Sequence, residues 1–128
     1  MNNKEIVNKF FKAVWTKEFD PSVIRELAHE DGIFSYPMHG VFHGAEEYIA
    51  MLEDFRESFE DLDFWAVDNF IAEDDYVVVE CRGQVTTKSG KPYNNTYCYV
   101  CRLQDGKLKE LTEYFDTLLV VETFGDVM

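Results

Sequence analysis

From residue 63 onward the apolar side chains switch from the three-and-four step of a helix to alternation, which restricts the chain to helices first and an antiparallel sheet afterwards. Before the switch, Ile6, Val7, Phe10, Phe11, Val14 and Trp15 recur at helical spacing. Asn2 stands three residues before Glu5 in the form of a capping box, so a first helix is predicted over about 3–17. Asp20-Pro21 supplies an N-cap and a first-turn proline for a second helix through Leu27. Ile33 to Tyr36 reads as a short strand stopped by Pro37, with Gly40 and Gly44 bracketing a hairpin-like return. In the third helix Tyr48, Leu52, Phe55 and Phe59 form an apolar stripe that Ala45 and Ile49 widen, while Glu46, Glu47, Glu53, Asp54, Glu57 and Glu60 form a solvated acidic face. Beyond the switch, strands are expected at about 63–72, 76–87, 92–104 and 107–118. The separators Glu73-Asp74-Asp75, Lys88-Ser89-Gly90-Lys91 and Asp105-Gly106 are short turns that join antiparallel neighbours.

At 128 residues the chain is expected to form one domain over 1–128, large enough to bury about two-thirds of its surface. Its 25 acidic residues outnumber 12 basic ones, and the resulting formal charge of -13 excludes nucleic acid and anionic membrane surfaces as partners. Cys81, Cys98 and Cys101 are odd in number, which suits a reducing compartment. Lys4, Glu5, Lys9 and Lys12 interrupt the N-terminal apolar positions, so neither a signal peptide nor a membrane span is expected, and the cytoplasm is the predicted location.

A polar side chain on the covered face of such a sheet needs a reason to be there. Leu111, Glu113 and Phe115 share one face of the last strand, which sets a carboxylate between two large apolar groups, and Leu108, Glu110, Thr112, Tyr114 and Asp116 share the other. In the strand at 76–87, Val77, Val79 and Cys81 form one face and Glu80, Arg82 and Gln84 the other; Asn95 and Tyr97 share a face of the next strand. Should the Glu80 face and the Asn95 face both look inward with Glu113, two carboxylates and an arginine meet in an apolar cavity. Alternation leaves that orientation open, with a cross-strand salt bridge on an exposed face as the other outcome for Glu80 and Arg82. Burial raises the pKa of Glu113 and pairing with Arg82 lowers it, and the balance decides between proton donor and base.

Three stretches, Gly90-Lys91-Pro92-Tyr93-Asn94, Leu103-Gln104-Asp105-Gly106-Lys107-Leu108 and Glu113-Tyr114-Phe115-Asp116, resemble the C-terminal half of the SnoaL-like polyketide cyclases. These are members of the nuclear transport factor 2-like superfamily, with ketosteroid isomerase and limonene epoxide hydrolase. The resemblance implies an α+β fold in which a strongly curved, mostly antiparallel sheet wraps around three helices of the N-terminal half as a cone (a cystatin-like α+β barrel). It also implies a deep apolar pocket and a homodimer formed through the outer sheet face. Glu113 matches the base of the epoxide hydrolase, whose Arg and Asp pair falls, with charges exchanged, on Glu80 and Arg82. The residues that hold the hydrolytic water there fall on Phe34 and Tyr36, and the isomerase's general-base Asp falls on Tyr36, so neither of those two reactions is expected.

The expected activity is therefore cofactor-free acid/base isomerisation, cyclisation or dehydration of an apolar, ring-bearing or polyketide-like metabolite. Glu113, Arg82, Glu80 and Tyr36 are the expected catalytic groups, and Trp15, Phe34, Gln84, Asn95, Tyr97, Leu111 and Phe115 the pocket residues. A ligand-binding or dimerisation module without chemistry is the alternative. His39 and His43 flank a turn with no third ligand nearby, and Cys98 and Cys101 point to opposite faces of a strand, so neither a metal site nor a dithiol is predicted.

Overall fold

The computed structural model describes residues 1–60, 62, 63 and 65–125. Its elements are α1 (Asn3–Trp15), α2 (Pro21–Leu27), β1 (Ala28–Tyr36), β2 (Gly40–His43), α3 (Gly44–Arg56), β3 (Ala66–Glu73), β4 (Tyr76–Arg82), β5 (Val85–Thr86), β6 (Pro92–Tyr93), β7 (Thr96–Gln104), β8 (Lys107–Phe115) and α4 (Thr117–Phe124). Asn2 caps α1 by accepting from the Glu5 amide at 2.9 Å, and the apolar stripe from Ile6 to Trp15 is buried. Asp20 caps α2 in the same way through the Ser22 amide, with Pro21 in its first turn.

Six strands lie in the order β2-β1-β8-β7-β4-β3, and β5 pairs with β6 in a separate two-stranded ribbon. Every neighbour in the larger sheet is antiparallel except β1 and β8, which run parallel. The fold is thus α+β with a mostly antiparallel sheet. That sheet is open, with edges at β2 and β3, so the expected barrel is not closed, and a fourth helix follows the last strand in addition to the three expected.

Several boundaries differ from the sequence reading for local reasons. The strand expected at 33–36 begins at Ala28, because α2 runs straight into β1 and a register shift absorbs the polar stretch between Ala28 and Ile33. His29 is consequently a strand residue, and its Nδ1 accepts from the Asp31 amide. The third helix stops at Arg56, yet Phe59 beyond it is buried. The strand expected from 63 starts at Ala66, and residue 64 lies outside the described residues. Gly83 and Asn94-Asn95 divide the next two long strands into β4 with β5 and β6 with β7. The last strand ends at Phe115 because Asp116 caps α4, its carboxylate accepting from the Leu119 amide at 3.2 Å. Asp116 is therefore a helix cap and not the outer-face residue expected of it. Leu108 and Leu111, expected on opposite faces, are both fully buried, since the register shift between Arg102 and Leu103 reverses the alternation.

The helices cover the face that carries Val77, Val79 and Cys81 of β4, Tyr97, Tyr99, Cys101 and Leu103 of β7, and Leu111 of β8. Where β1 runs beside β8 the backbones approach closely at Gly32. A Cβ there would stand 2.9 Å from the His29 carbonyl oxygen and 3.2 Å from that of Leu108, so only glycine fits without a backbone shift. Gly32→Ala is expected to lower unfolding stability by about 1–3 kcal/mol in urea titrations, and a loss below about 0.5 kcal/mol contradicts this packing.

Candidate active site

Glu113 lies near the C-terminal end of β8 on the covered face and is 2% exposed. Leu111 and Phe115 flank it along the strand, and Tyr99 of β7 is its cross-strand partner. Its carboxyl forms part of the wall of a cavity of about 390 Å³. Trp15 of α1, Tyr36 of β1 and Met51 and Phe55 of α3 line the cavity from one side. Tyr93, Tyr97 and Phe115 line it from the sheet, and Val120 and Phe124 of α4 complete the wall. His39, Asp54 and Ser58 add the remaining polar contacts, and among the described residues no Lys or Arg lines the space.

Among the described residues neither Glu113 Oε1 nor the Tyr99 hydroxyl has a hydrogen-bond partner of good geometry, although both atoms are buried. Burial pushes the Glu113 pKa up from 4.5 to about 8, with the Tyr99 hydroxyl pulling weakly the other way. At neutral pH the group is therefore mostly the uncharged acid, which is how a lone carboxyl is tolerated in apolar surroundings. The surrounding phenols are held neutral as well. Burial raises Tyr36, Tyr48, Tyr97 and Tyr99 far above the ordinary phenol range, and Tyr93 less so. Tyr36 and Tyr48 share a hydrogen bond of 2.7 Å between their hydroxyls. The cavity thus holds one transferable proton on Glu113 and several neutral hydroxyl donors, in a wall made mostly of aromatic rings.

Five of the residues expected at the site, Glu113, Tyr36, Trp15, Tyr97 and Phe115, meet at this cavity. The others do not. Arg82 points outward and forms a bidentate pair with Asp68, at 2.8 Å for both contacts. Glu80, also outward, accepts from Asn69 at 2.9 Å. The physical reason is the pleat of β4: turning these charges inward would have sent Val77, Val79 and Cys81 into water. Among the described residues Glu113 accordingly has no cationic neighbour, and desolvation outweighs the opposing pull of the Tyr99 hydroxyl. Gln84 is exposed in a separate surface depression of about 760 Å³. Phe34 and Leu111 are fully buried in the core, where Phe34 stacks on Tyr48 at 4.3 Å, behind the cavity wall. Asn95 is buried but spends its carboxamide on structural hydrogen bonds.

Tyr99, Tyr93, His39, Asp54, Phe55, Ser58, Val120 and Phe124 were absent from the expected site. Alternation from Tyr97 locates Tyr99, and an Asp116 cap followed by Leu119, Val120 and Phe124 announces a helix. Asp54 had been placed with the solvated acidic face, and only the packing of α3 brings it to the cavity. Among the described residues no group of three or more His, Cys, Asp or Glu side chains is placed to hold a metal ion.

The sequence profile of the SnoaL-like domain matches residues 7–111. The chain belongs to the SnoaL-like domain family. A proposed SnoaL-like polyketide cyclase from Jannaschia sp. CCS1 superposes on this SnoaL-like chain with a TM-score of 0.86 at 24% identity, covering 96% of this chain and 91% of the other. TerC, crystallised with polyporic acid, gives 0.83 at 21% identity over 94% of this chain and 96% of its own. A protein of ketosteroid isomerase-like fold from Catenulispora acidiphila DSM 44928, in complex with trimethylamine, gives 0.80 at 19% identity over 94% and 92%. At these identities the likeness establishes a shared nuclear transport factor 2-like fold. No curated protein matches the chain.

The raised pKa has a thermodynamic signature. The folded state holds the Glu113 proton up to about pH 8 and the unfolded state releases it near 4.5, so stability falls as pH rises between those values and the contribution is flat outside them. The full effect is about 4–5 kcal/mol. Glu113→Gln is expected to become more stable than the parent across that window, by an amount that grows toward pH 8. Denaturation curves whose difference stays constant from pH 4.5 to 8 contradict the assignment.

Proposed function

We propose that the chain is a single SnoaL-like domain over 1–128 that performs cofactor-free acid/base chemistry on an uncharged, apolar, ring-bearing or polyketide-like carbonyl compound, with Glu113 as the proton-transferring group. The observation that carries this reading is the buried Oε1 without a partner at the wall of a cavity of about 390 Å³. A buried acceptor left unpaired costs about 1–3 kcal/mol, which a ligand bearing a complementary group recovers on binding. Aromatic walls suit a ring system. A cavity with two carboxyls, no lysine or arginine among its described lining residues, and a chain charge of -13 disfavour an anionic ligand.

In the proposed reaction the neutral carboxyl of Glu113 gives its proton to the carbonyl oxygen. Its other oxygen takes a proton from the adjacent carbon, so the enol forms and the acid is restored. The enol carbon then attacks a second carbonyl of the same molecule, closing a ring while the enol O–H proton passes through Glu113 to the new alkoxide, or a conjugated carbon takes the Glu113 proton while the enol O–H returns its own, giving an isomer. The Tyr36 and Tyr97 hydroxyls, both at the cavity, are proposed to donate to the oxygen on which charge develops. Arg82 and Glu80, exposed on the other face of the sheet, have no part in this scheme. Native mass spectrometry of freshly purified protein identifies a retained metabolite, and turnover of that compound by Glu113→Gln is expected to fall by about 100-fold or more. Unchanged turnover sinks the proposal, and recovery of the ligand chemically unaltered from the parent protein supports a binding module instead.

The protein is further proposed to act in the cytoplasm, where its three free thiols persist. It is also proposed to act as a homodimer through the outer sheet face. There Ile71, Val78 and Val100 stand in register across β3, β4 and β7, and the Arg82–Asp68 and Arg102–Glu110 pairs lie on either side, so a second copy meets both apolar and opposite-charge complements. Sedimentation equilibrium is expected to give twice the chain mass for the parent and a single chain for Val78→Lys. A monomeric parent at micromolar concentration contradicts the dimer.

A further inference from the structure

Asn95 lies just beyond the last residue pair of the β7–β8 ladder, Tyr97 with Phe115, at a point where the two strands have already separated. It is 1% exposed. Its Oδ1 accepts from the Asp116 amide at 3.1 Å, and its Nδ2 donates to the Asp116 carbonyl oxygen at 3.2 Å. One carboxamide therefore offers the donor and acceptor that a neighbouring peptide unit would offer, and extends the ladder by a rung where the backbone does not. The same group accepts from the Thr96 amide at 2.8 Å and donates to the Tyr93 hydroxyl at 3.0 Å. Asp116 is also the N-cap of α4 and accepts from the Leu119 amide.

The helix that starts there is short and is held elsewhere by one face and its far end. With eight residues it is too short to be stable alone, and Leu118 and Val121 face solvent at 65% and 40% exposure. At its far end Phe124 meets Tyr93 edge-on at 5.1 Å and Phe55 at 6.0 Å, and the Thr123 carbonyl accepts from Lys91 Nζ at 3.4 Å. Tyr93 thus touches both ends of the arrangement, through its hydroxyl to Asn95 and through its ring to Phe124. Val120 and Phe124 are the two α4 residues that line the Glu113 cavity.

We infer that Asn95 is a positioning residue for this cavity: its carboxamide takes the place of a peptide unit at the end of the ladder, fixes where α4 leaves the sheet, and so holds the Val120 and Phe124 wall that keeps water from Glu113. Asp at this position lacks the donor, Ala lacks both groups, and Gln reaches one bond too far. The bearing of this wall on a ligand rests on the cavity being the ligand site, whereas the clamp itself does not.

The test uses amide hydrogen exchange and the titration of Glu113 followed by its carboxyl infrared bands, neither of which needs a ligand or turnover. A failure of the proposed reaction and a failure of the clamp are therefore separately visible. In Asn95→Ala, the amides of 119–123 are expected to exchange at least about tenfold faster while those of α1 and β4 keep their rates. The Glu113 midpoint is expected to fall by a pH unit or more from about 8. Tyr93→Phe, which removes the hydroxyl that Asn95 and Tyr97 both meet and leaves the Asp116 pair, is expected to leave α4 exchange within about threefold of the parent. Unchanged α4 rates in Asn95→Ala, acceleration spread evenly over the fold, or an unmoved Glu113 midpoint overturns the inference. If Asn95→Ala does not fold, the parent protein decides. Its Asp116 amide, past the end of the ladder, exchanges as slowly as the interior amides of β8 if Asn95 holds it, and like a free amide if the inference is wrong.

Discussion

The pleat of the central strands is the constraint on which the rest depends. In β4, β7 and β8 every second residue must face the helices, and the apolar members of those sets are too numerous to be turned outward. Once Val77, Val79 and Cys81 face inward, Arg82 and Glu80 face water and find Asp68 and Asn69 there. Once Leu111 faces inward, Glu113 follows it, two residues along the same strand. The carboxyl is thus carried into the interior by its neighbours' hydrophobicity. It remains there as an acid because the same pleat has removed the arginine that would have kept it ionised.

Much of the fold could be read from residue spacing. Asn2 and Asp20 cap the helices that their positions announce, and the period change after residue 63 marks the run of strands from β3 to β8, although β1 and β2 of the same sheet come before it. Glu113 stood out because it is a charge between two large apolar residues of one strand face. What escaped was set by events that periodicity does not encode. The extra residue near Lys109 that reverses the alternation, the division of two strands at Gly83 and Asn95, and the parallel placing of β1 beside β8 depend on tertiary pairing. The fourth helix was missed for a different reason: Leu118, Leu119, Val120 and Val121 are as acceptable in a strand as in a helix, and the Asp116 cap decides between the two. The choice between an inward and an outward Arg82 required weighing one face of β4 against the other, and the cost of burying a guanidinium settles it.

The acidic excess divides along the same line. The Arg25–Glu46, Arg82–Asp68 and Arg102–Glu110 pairs occupy solvated surfaces, where such contacts add little to stability. Glu113 differs in that burial changes its protonation, so the same residue type serves as solvent-facing charge on α3 and as stored proton on β8. Three of the helices, α1, α3 and α4, together with strands drawn from both halves of the sequence, contribute to the walls around that proton. The cavity is therefore a product of the whole fold, and its shape is sensitive to junctions, such as the one at Asn95 and Asp116, that lie outside the regular elements.

The parallel pairing of β1 with β8 also governs the order in which the molecule can be assembled. During synthesis α1, α2 and the β1–β2 hairpin leave the ribosome well before β8, the strand that must lie against β1. Until residues 107–115 emerge, Phe34 and Tyr36 lack the neighbouring strand that brings them beside Leu111 and Glu113. A truncated or stalled chain consequently presents a bare strand edge and an uncovered aromatic surface, features that recruit chaperones and promote aggregation. Closing a contact across so much of the chain slows folding relative to a helical protein of equal length. The element that carries the buried carboxyl is therefore also the one whose later arrival completes the sheet.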